Sequence, residues 1–390
     1  MADNPLLQIH ECGQSVWNDF ISRSFIKDGD LRALVENDGL TGVTSNPTIF
    51  QKSISGSSDY DDDMREAVRK GLDTEKTFQY LASNDVRMAC DVLRPVYDRT
   101  NGQDGYVSIE VSPDAAHDEA RTLEDAHTLW SLVDRPNVMI KVPATPEGLP
   151  AVEELISEGI NVNITLIFAI EVYEKVMEAY IRGLERRNEN GRSVDRIASV
   201  ASFFVSRVDT LVDKQLDQRR QNASPDQERQ IDQLYGQAAV ANAKIAYELF
   251  EKTFGTERFH RLAERGAMVQ RPLWASTSTK NPSYSDTLYV DSLVGPNSVN
   301  TMPPQTIDAT RDHGRIQCDA VKTDLARAHE CIKRLNSVGV NMTQVTSQLT
   351  AEGVQSFQDS LHQLFDTIRD ETHRLSTEMQ GTGPAPVPAT

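Results

Sequence analysis

The stretch NVMIKVPAT at residues 137–145 sets Lys141 among Val138, Met139, Ile140 and Val142. Free lysine is an ammonium at neutral pH, and an apolar setting disfavours that charge. Two readings follow. The lysine is held in a buried ion pair, or it is a nucleophile whose neutral amine condenses with a ketone to form a Schiff base. In the second case the iminium draws electrons from a neighbouring carbon–carbon bond, which can then break. That chemistry needs one acid/base for the hydroxyl at the bond being cleaved and another for the carbinolamine water. Asp19 in SVWNDF and Glu110 in YVSIEV are carboxylates in apolar stretches, and a carboxylate there must be paired or functional. A structural ion pair between Glu110 and Lys141 competes on even terms.

These side chains need a frame. Apolar runs at 15–20, 40–47, 106–111, 138–144, 161–168, 196–205, 270–277 and 298–303 read as strands. Amphipathic stretches at 73–100, 115–133, 146–159, 171–187, 206–220 and 226–255 read as helices between them. Strands alternating with helices predict parallel βα units, and eight is the number that closes a (β/α)8 TIM barrel. A doubly wound open sheet is the competing architecture, but no GxGxxG follows the first strand.

Strand parity sharpens the prediction, because alternate residues of a barrel strand point inward. In NVNITLIF, Asn161, Asn163 and Thr165 share one face, opposite Val162, Ile164, Leu166 and Phe168. Ser108 and Glu110, Thr44 and Asn46, and Lys141 fall in the same way against apolar neighbours. These polar positions sit late in their strands, where barrel enzymes carry their chemistry. Taken singly, Asn46 before Pro47 reads as a turn residue, and Ser202 has an equally bland reading. Asn163-Ile164-Thr165 also spells a glycosylation sequon, which a buried strand makes irrelevant.

The 390 residues are read as a single barrel domain over 1–375, with extra helices at 51–72 and 304–375. Asp61-Asp62-Asp63 is expected in a first helical turn capped by Ser57 or Ser58. Residues 376–390 form an expected disordered, Pro-rich tail. The 340–375 helix can pack on its own barrel or on another chain, which leaves a homodimer open.

The net charge of −18 argues against nucleic acid as a partner. No apolar run is long enough to span a membrane, and the N-terminus lacks the pattern of a signal peptide, so a cytoplasmic protein is expected. Cys12, Cys90, Cys318 and Cys331 show no CxxC spacing and are expected as reduced thiols. His10-Glu11-Cys12 and His329-Glu330-Cys331 look alike, yet adjacent residues on one element rarely converge on one ion, so no metal site is expected.

GVTSNPTIFQKSI (42–54), IKVPATPEG (140–148), GINVNITLIF (159–168), SFFVSRVD (202–209) and RPLWASTSTKNPSYSDTLYVDSLVGPNSVNTMP (271–303) resemble the motifs of the transaldolases, in particular the longer bacterial type. The likeness covers about residues 10 to 375. It implies a (β/α)8 barrel whose fourth strand carries the Schiff-base lysine, where Lys141 falls. It implies Asp19 as acid/base for aldol cleavage, Glu110 as a carboxylate acting through a water in imine formation, and Thr165 as the holder of that water. Asn46 and Asn163 match asparagines that bind a dihydroxyacetone unit, Ser202 a further site serine, and Arg207 a phosphate-binding arginine. Ser276 matches a serine of the seventh strand. Shorter family members carry a second phosphate arginine two positions later, which this chain lacks, and Lys280 is the replacement expected here.

The resemblance implies transfer of dihydroxyacetone between sugar phosphates, from sedoheptulose 7-phosphate to glyceraldehyde 3-phosphate, without metal or organic cofactor. Two alternatives stay open. One is a related aldolase that releases free dihydroxyacetone from fructose 6-phosphate, whose glutamate position is not a carboxylate. The other is a non-catalytic barrel that binds sugar phosphates.

Overall fold

The computed structural model describes residues 4–381. Eight parallel strands close into a barrel in chain order: β1 (Gln14–Asn18), β2 (Gly42–Val43), β3 (Tyr106–Glu110), β4 (Val138–Pro143), β5 (Val162–Ile167), β6 (Ser199–Phe204), β7 (Arg271–Ala275) and β8 (Ser298–Met302). Pairing of Gln14 with Ser298 through Asn18 with Met302 closes the ring. The expected fold class is therefore the observed one. Each predicted strand is present; β1 starts one residue earlier and ends two sooner than expected, and the others are shorter by one to several residues.

β2 is only two residues long. A side chain at Gly42 would collide with the Trp17 indole on β1, so glycine is what lets these two strands pair. At the N-terminal end of the barrel, Trp17 Nε1 donates to Asp104 Oδ1 at 2.8 Å, and Arg271 Nη1 donates to Ser15 Oγ at 2.7 Å. This end is a polar plug, and the chemistry lies at the other.

Helices fill the outer layer. Asp73 caps the long helix Thr74–Arg99 by accepting from Lys76 N. The single helix expected over 226–255 is two, Pro225–Asp232 and Ala238–Phe254. Between them Gly236 takes a φ of +66°, a left-handed conformation that ends a helix. Asp61, Asp62 and Asp63 do open a helix, Asp61–Arg69, but Ser57 caps the short turn Ser58–Tyr60 before it. Asp63 faces Arg23, and Asp61 faces Arg65 and Arg374.

The C-terminal helix, Met342–Gly381, packs on its own barrel. Val345, Leu349, Val354, Phe357, Leu361, Leu364, Ile368 and Leu375 form its buried stripe, with three-to-four-residue spacing from Val354 to Ile368, the period of one helix face. It passes the expected boundary at residue 375. The rest of the expected tail, residues 382–390, lies outside the described residues.

The cysteines correct the sequence reading. Cys12 and Cys318 are joined in a disulfide across 306 residues, and Cys90 and Cys331 are free and buried. Local spacing carries no sign of this pair. It forms because the helix Pro5–Glu11 packs on Pro304–His313, which brings the ends of these segments together. Among the described residues, no helix is long and apolar enough to cross a membrane, and no group of three or more His, Cys, Asp or Glu side chains could hold a metal ion.

Candidate active site

The strand register sets the site. Glu110 on β3 pairs with Lys141 on β4, and Lys141 pairs with Asn163 on β5. Residues paired across parallel strands point the same way, so these three face the barrel interior at neighbouring depths, each strand stepping along the axis with the barrel's tilt. Pro143 pairs with Thr165 further along the same strands.

There Lys141 is almost wholly enclosed. Its Nζ donates to Ser45 O at 3.1 Å and lies 3.3 Å from Glu110 Oε2. Side-chain exposure is 5% for Lys141 and 3% for Glu110. Apart from this ion pair, neither oxygen of Glu110 has a hydrogen-bond partner among the described residues, and Thr165 Oγ1 has none either. Burial raises the Glu110 carboxyl above the ordinary glutamate value. Lys141 pulls it back, and Asp19 adds to the rise.

Asp19 follows β1 directly, and its oxygen accepts from Thr44 Oγ1 at 2.6 Å. Burial raises this carboxyl too, against the opposing pull of Lys141, the Thr44 hydrogen bond, Arg207 and Lys280. Burial therefore favours the protonated form of both Glu110 and Asp19, against the pull of the nearby cations.

A cavity of about 170 Å³ opens above these residues at the C-terminal end of the barrel. Asp19, Asn46, Lys141, Thr165, Ser202, Arg207, Ser276 and Lys280 all line it. Glu110 and Asn163 do not. Glu110 stands behind Lys141 and borders an adjoining crevice with Asn46, Phe50 and Phe78. Asn163 lies beneath the cavity, fully buried, donating to Ser108 Oγ at 3.0 Å and accepting from Ser202 Oγ at 2.7 Å. Asn46 fits both of its readings, since its Oδ1 caps the helix Pro47–Ile54 by accepting from Ile49 N while the residue lines the cavity.

Cations gather on the far side. Arg207 is the second residue of the helix Ser206–Arg220, whose N-terminal end is positively polarised. Burial lowers its guanidinium from the usual arginine value, and Asp19 and Glu352 counter that. Lys280, on the loop after β7, donates to Ser278 Oγ. Burial and then Arg207 lower its ammonium. Ser276 adopts a φ of +55° and shares a hydrogen bond with Ser206. Two cations, two serines and a helix N-terminus around one space suit an oxyanion such as phosphate.

Several lining residues escape the sequence reading: Phe204, Ser278, Thr301, Gln305 and Phe357. Thr301 is a polar residue at a strand end, the same signal as Thr165, whereas Phe204 is apolar and carries none. Phe357 comes from the C-terminal helix, and no local pattern announces it.

A lysine enclosed with a carboxylate behind it, a second carboxylate across the cavity and an oxyanion pocket beyond is a layout for Schiff-base cleavage of a phosphorylated ketose. Similarity to known proteins agrees. A family model described as Transaldolase/Fructose-6-phosphate aldolase matches residues 16–368. Transaldolase 2 of Nostoc sp. is 46% identical over 380 residues, 96% of this chain and all of the relative. The transaldolase of Acidothermus cellulolyticus is 47% identical over 96% of this chain and 99% of its own length. That of Mycobacterium bovis is 46% identical over 94% of this chain and 97% of its own. The chain belongs to the transaldolase/fructose-6-phosphate aldolase family and is an enzyme of its transaldolase type.

Proposed function

We propose a division of labour among these residues for moving a dihydroxyacetone unit from sedoheptulose 7-phosphate to glyceraldehyde 3-phosphate, giving erythrose 4-phosphate and fructose 6-phosphate. Lys141 attacks the donor ketone. Glu110 and Thr165 hold one water between them, and Glu110 passes protons through it as the carbinolamine loses and later regains water. The Glu110 oxygen left over from the Lys141 ion pair and the Thr165 hydroxyl, neither with a hydrogen-bond partner, support that assignment.

Asp19 takes the proton of the C4 hydroxyl as the adjacent bond breaks. The electron pair of that bond passes into the iminium and leaves an enamine on Lys141. The first aldose departs, the enamine carbon attacks the second, and Asp19 returns the proton to the new hydroxyl. Asn46 binds the hydroxyls of the three-carbon unit, and Asn163 with Ser202 fixes the floor beneath it. Arg207, Lys280, Ser276 and Ser278 hold the sugar phosphate. Lys280 stands in for a second arginine as a point charge.

The observation that carries this reading is the convergence of Lys141, Asp19, Arg207 and Lys280 on one cavity of a protein whose net charge is −18. An anionic substrate finds its cations there by local placement. All the groups invoked belong to one chain, so the reading holds whether or not a homodimer forms. We also assign the protein to the cytoplasm, although the Cys12–Cys318 disulfide is a bond that a reducing compartment disfavours.

The test compares dihydroxyacetone release from fructose 6-phosphate with and without an acceptor aldose. Transfer predicts new ketose only with acceptor and little free dihydroxyacetone in its absence. Equal and rapid release in both arms would identify an aldolase instead.

A further inference from the structure

The C-terminal helix crosses the mouth of the barrel and is fixed on both sides of Phe357. Ser360 shares a 2.7 Å hydrogen bond with Thr48. Gln358 Nε2 donates to Pro113 O at 3.3 Å, and His362 pairs with Asp114 at 3.1 Å. One turn before Phe357, Gly353 lies so close to the barrel that an added Cβ would stand 2.9 Å from Leu166 Cδ2 and 3.6 Å from Arg207 Nη1. Leu166 has a φ of +60° and sits at the register shift between Ile164 and Ile167, which pushes this part of β5 out of line. The helix is therefore seated against the strand end that carries Thr165.

Phe357 is 3% exposed, lines the active-site cavity, and has its ring centroid 5.7 Å from Lys141 Nζ. It has no donor or acceptor, and the anchors at Thr48, Pro113 and Asp114 hold its helix in place. Phe204, Ala275 and Pro303 are the other apolar residues that line the cavity.

We propose that Phe357 is a specificity-determining residue that commits the three-carbon enamine to transfer, by denying solvent protons access to its nucleophilic carbon. The proposal rests on the reading of Lys141 as the Schiff-base lysine. After cleavage the enamine has two fates. Its electron pair can form a bond to the carbonyl carbon of an acceptor aldehyde, whose oxygen takes the proton held by Asp19. Water then hydrolyses the iminium, and the longer ketose leaves. Alternatively the same pair takes a proton from water at carbon, and the hydroxide left behind takes the proton held by Asp19. Water then adds to the resulting iminium, and dihydroxyacetone leaves with the Lys141 amine restored. Both fates use water at the imine carbon, but only the second uses a solvent proton at the enamine carbon. An apolar ring held over the lysine suppresses that second step.

The experiment measures free dihydroxyacetone formed per transfer event with fructose 6-phosphate, in wild type, Phe357→Ala, Phe357→Gln and Phe357→Leu. Circular dichroism and borohydride trapping are run alongside. Phe357→Ala and Phe357→Gln are expected to raise the release-to-transfer ratio several-fold, while Phe357→Leu, which keeps an apolar cover, stays near wild type. Phe357→Gln retains much of the volume and serves as the test if Phe357→Ala does not fold. A purely structural role would lower both fates together, so an unchanged ratio in a folded Phe357→Gln variant would overturn the proposal. If wild type gives no borohydride adduct at Lys141, the reading beneath it has failed instead.

Discussion

Lys141 Nζ stands 3.3 Å from Glu110 Oε2, and strand register points both residues into the barrel interior side by side. The ion pair and the nucleophile are thus one arrangement. The pair accounts for a charge in an apolar strand, and its carboxylate is in place to manage protons at the same nitrogen. Glu110→Gln should slow imine formation by about 10²–10⁴-fold, the usual worth of a positioned acid/base. Single-turnover borohydride trapping reads this directly, and an unchanged trapping rate would remove Glu110 from that role.

Arg207 and Lys280 share the cavity with Asp19. A charge-assisted hydrogen bond contributes about 1.5–3 kcal/mol, so Arg207→Ala should raise KM for a phosphorylated ketose by about 10- to 150-fold. Lys280→Ala should act in the same direction but less, because Lys280 is more exposed. Both cations also draw the Asp19 carboxyl downward. Removing either should move the acidic limb of the activity profile to higher pH, because Asp19 would then hold its proton longer. A limb that does not move would place these cations too far from Asp19 to matter.

Asp209 is buried away from the site, accepting from Ala239 N at 2.8 Å and from the Tyr289 hydroxyl at 3.0 Å. Burial, with Asp213 adding to it, pushes its carboxyl up to about 7. In the unfolded chain an aspartate titrates near ~3.9. The folded state therefore holds this proton more tightly. The stability it contributes is full below the unfolded value and is lost as pH rises toward 7. Denaturation midpoints across that range should fall less steeply in Asp209→Asn than in wild type, and identical slopes would contradict the assignment.

The Cys12–Cys318 disulfide closes a long loop. Loop-closing disulfides typically contribute about 2–4 kcal/mol by constraining the unfolded chain. Cys12→Ser, or reduction of the wild type, should lower the thermal midpoint while leaving transfer activity intact, since neither cysteine lines the active-site cavity. No change in the midpoint would mean that the bond adds nothing beyond the packing of Pro5–Glu11 on Pro304–His313.

The barrel was legible because its evidence is local. Alternation marks strands such as β5, and amphipathic spacing marks the helices between them. Polar residues at strand ends, Asn163 and Thr165 among them, were legible by parity for the same reason. The register that aligns Glu110, Lys141 and Asn163 was not, because it depends on how strands pair and not on what each contains. Phe357 and the Cys12–Cys318 bond are long-range meetings, which no window of sequence displays. The break at Gly236 was readable in principle, but the amphipathic pattern on both sides of it masked the stop. Arg207 and Lys280 entered only through resemblance, since a cation on a loop has no signature of its own.

Every role proposed for this site requires Lys141 to form a Schiff base with a ketose. Incubation with fructose 6-phosphate, reduction with borohydride and peptide mapping test this directly. A single reduced adduct is expected on the peptide containing NVMIKVPAT, at Lys141, and none when Lys141→Arg protein is used. No adduct, or an adduct on another lysine such as Lys280, would contradict it.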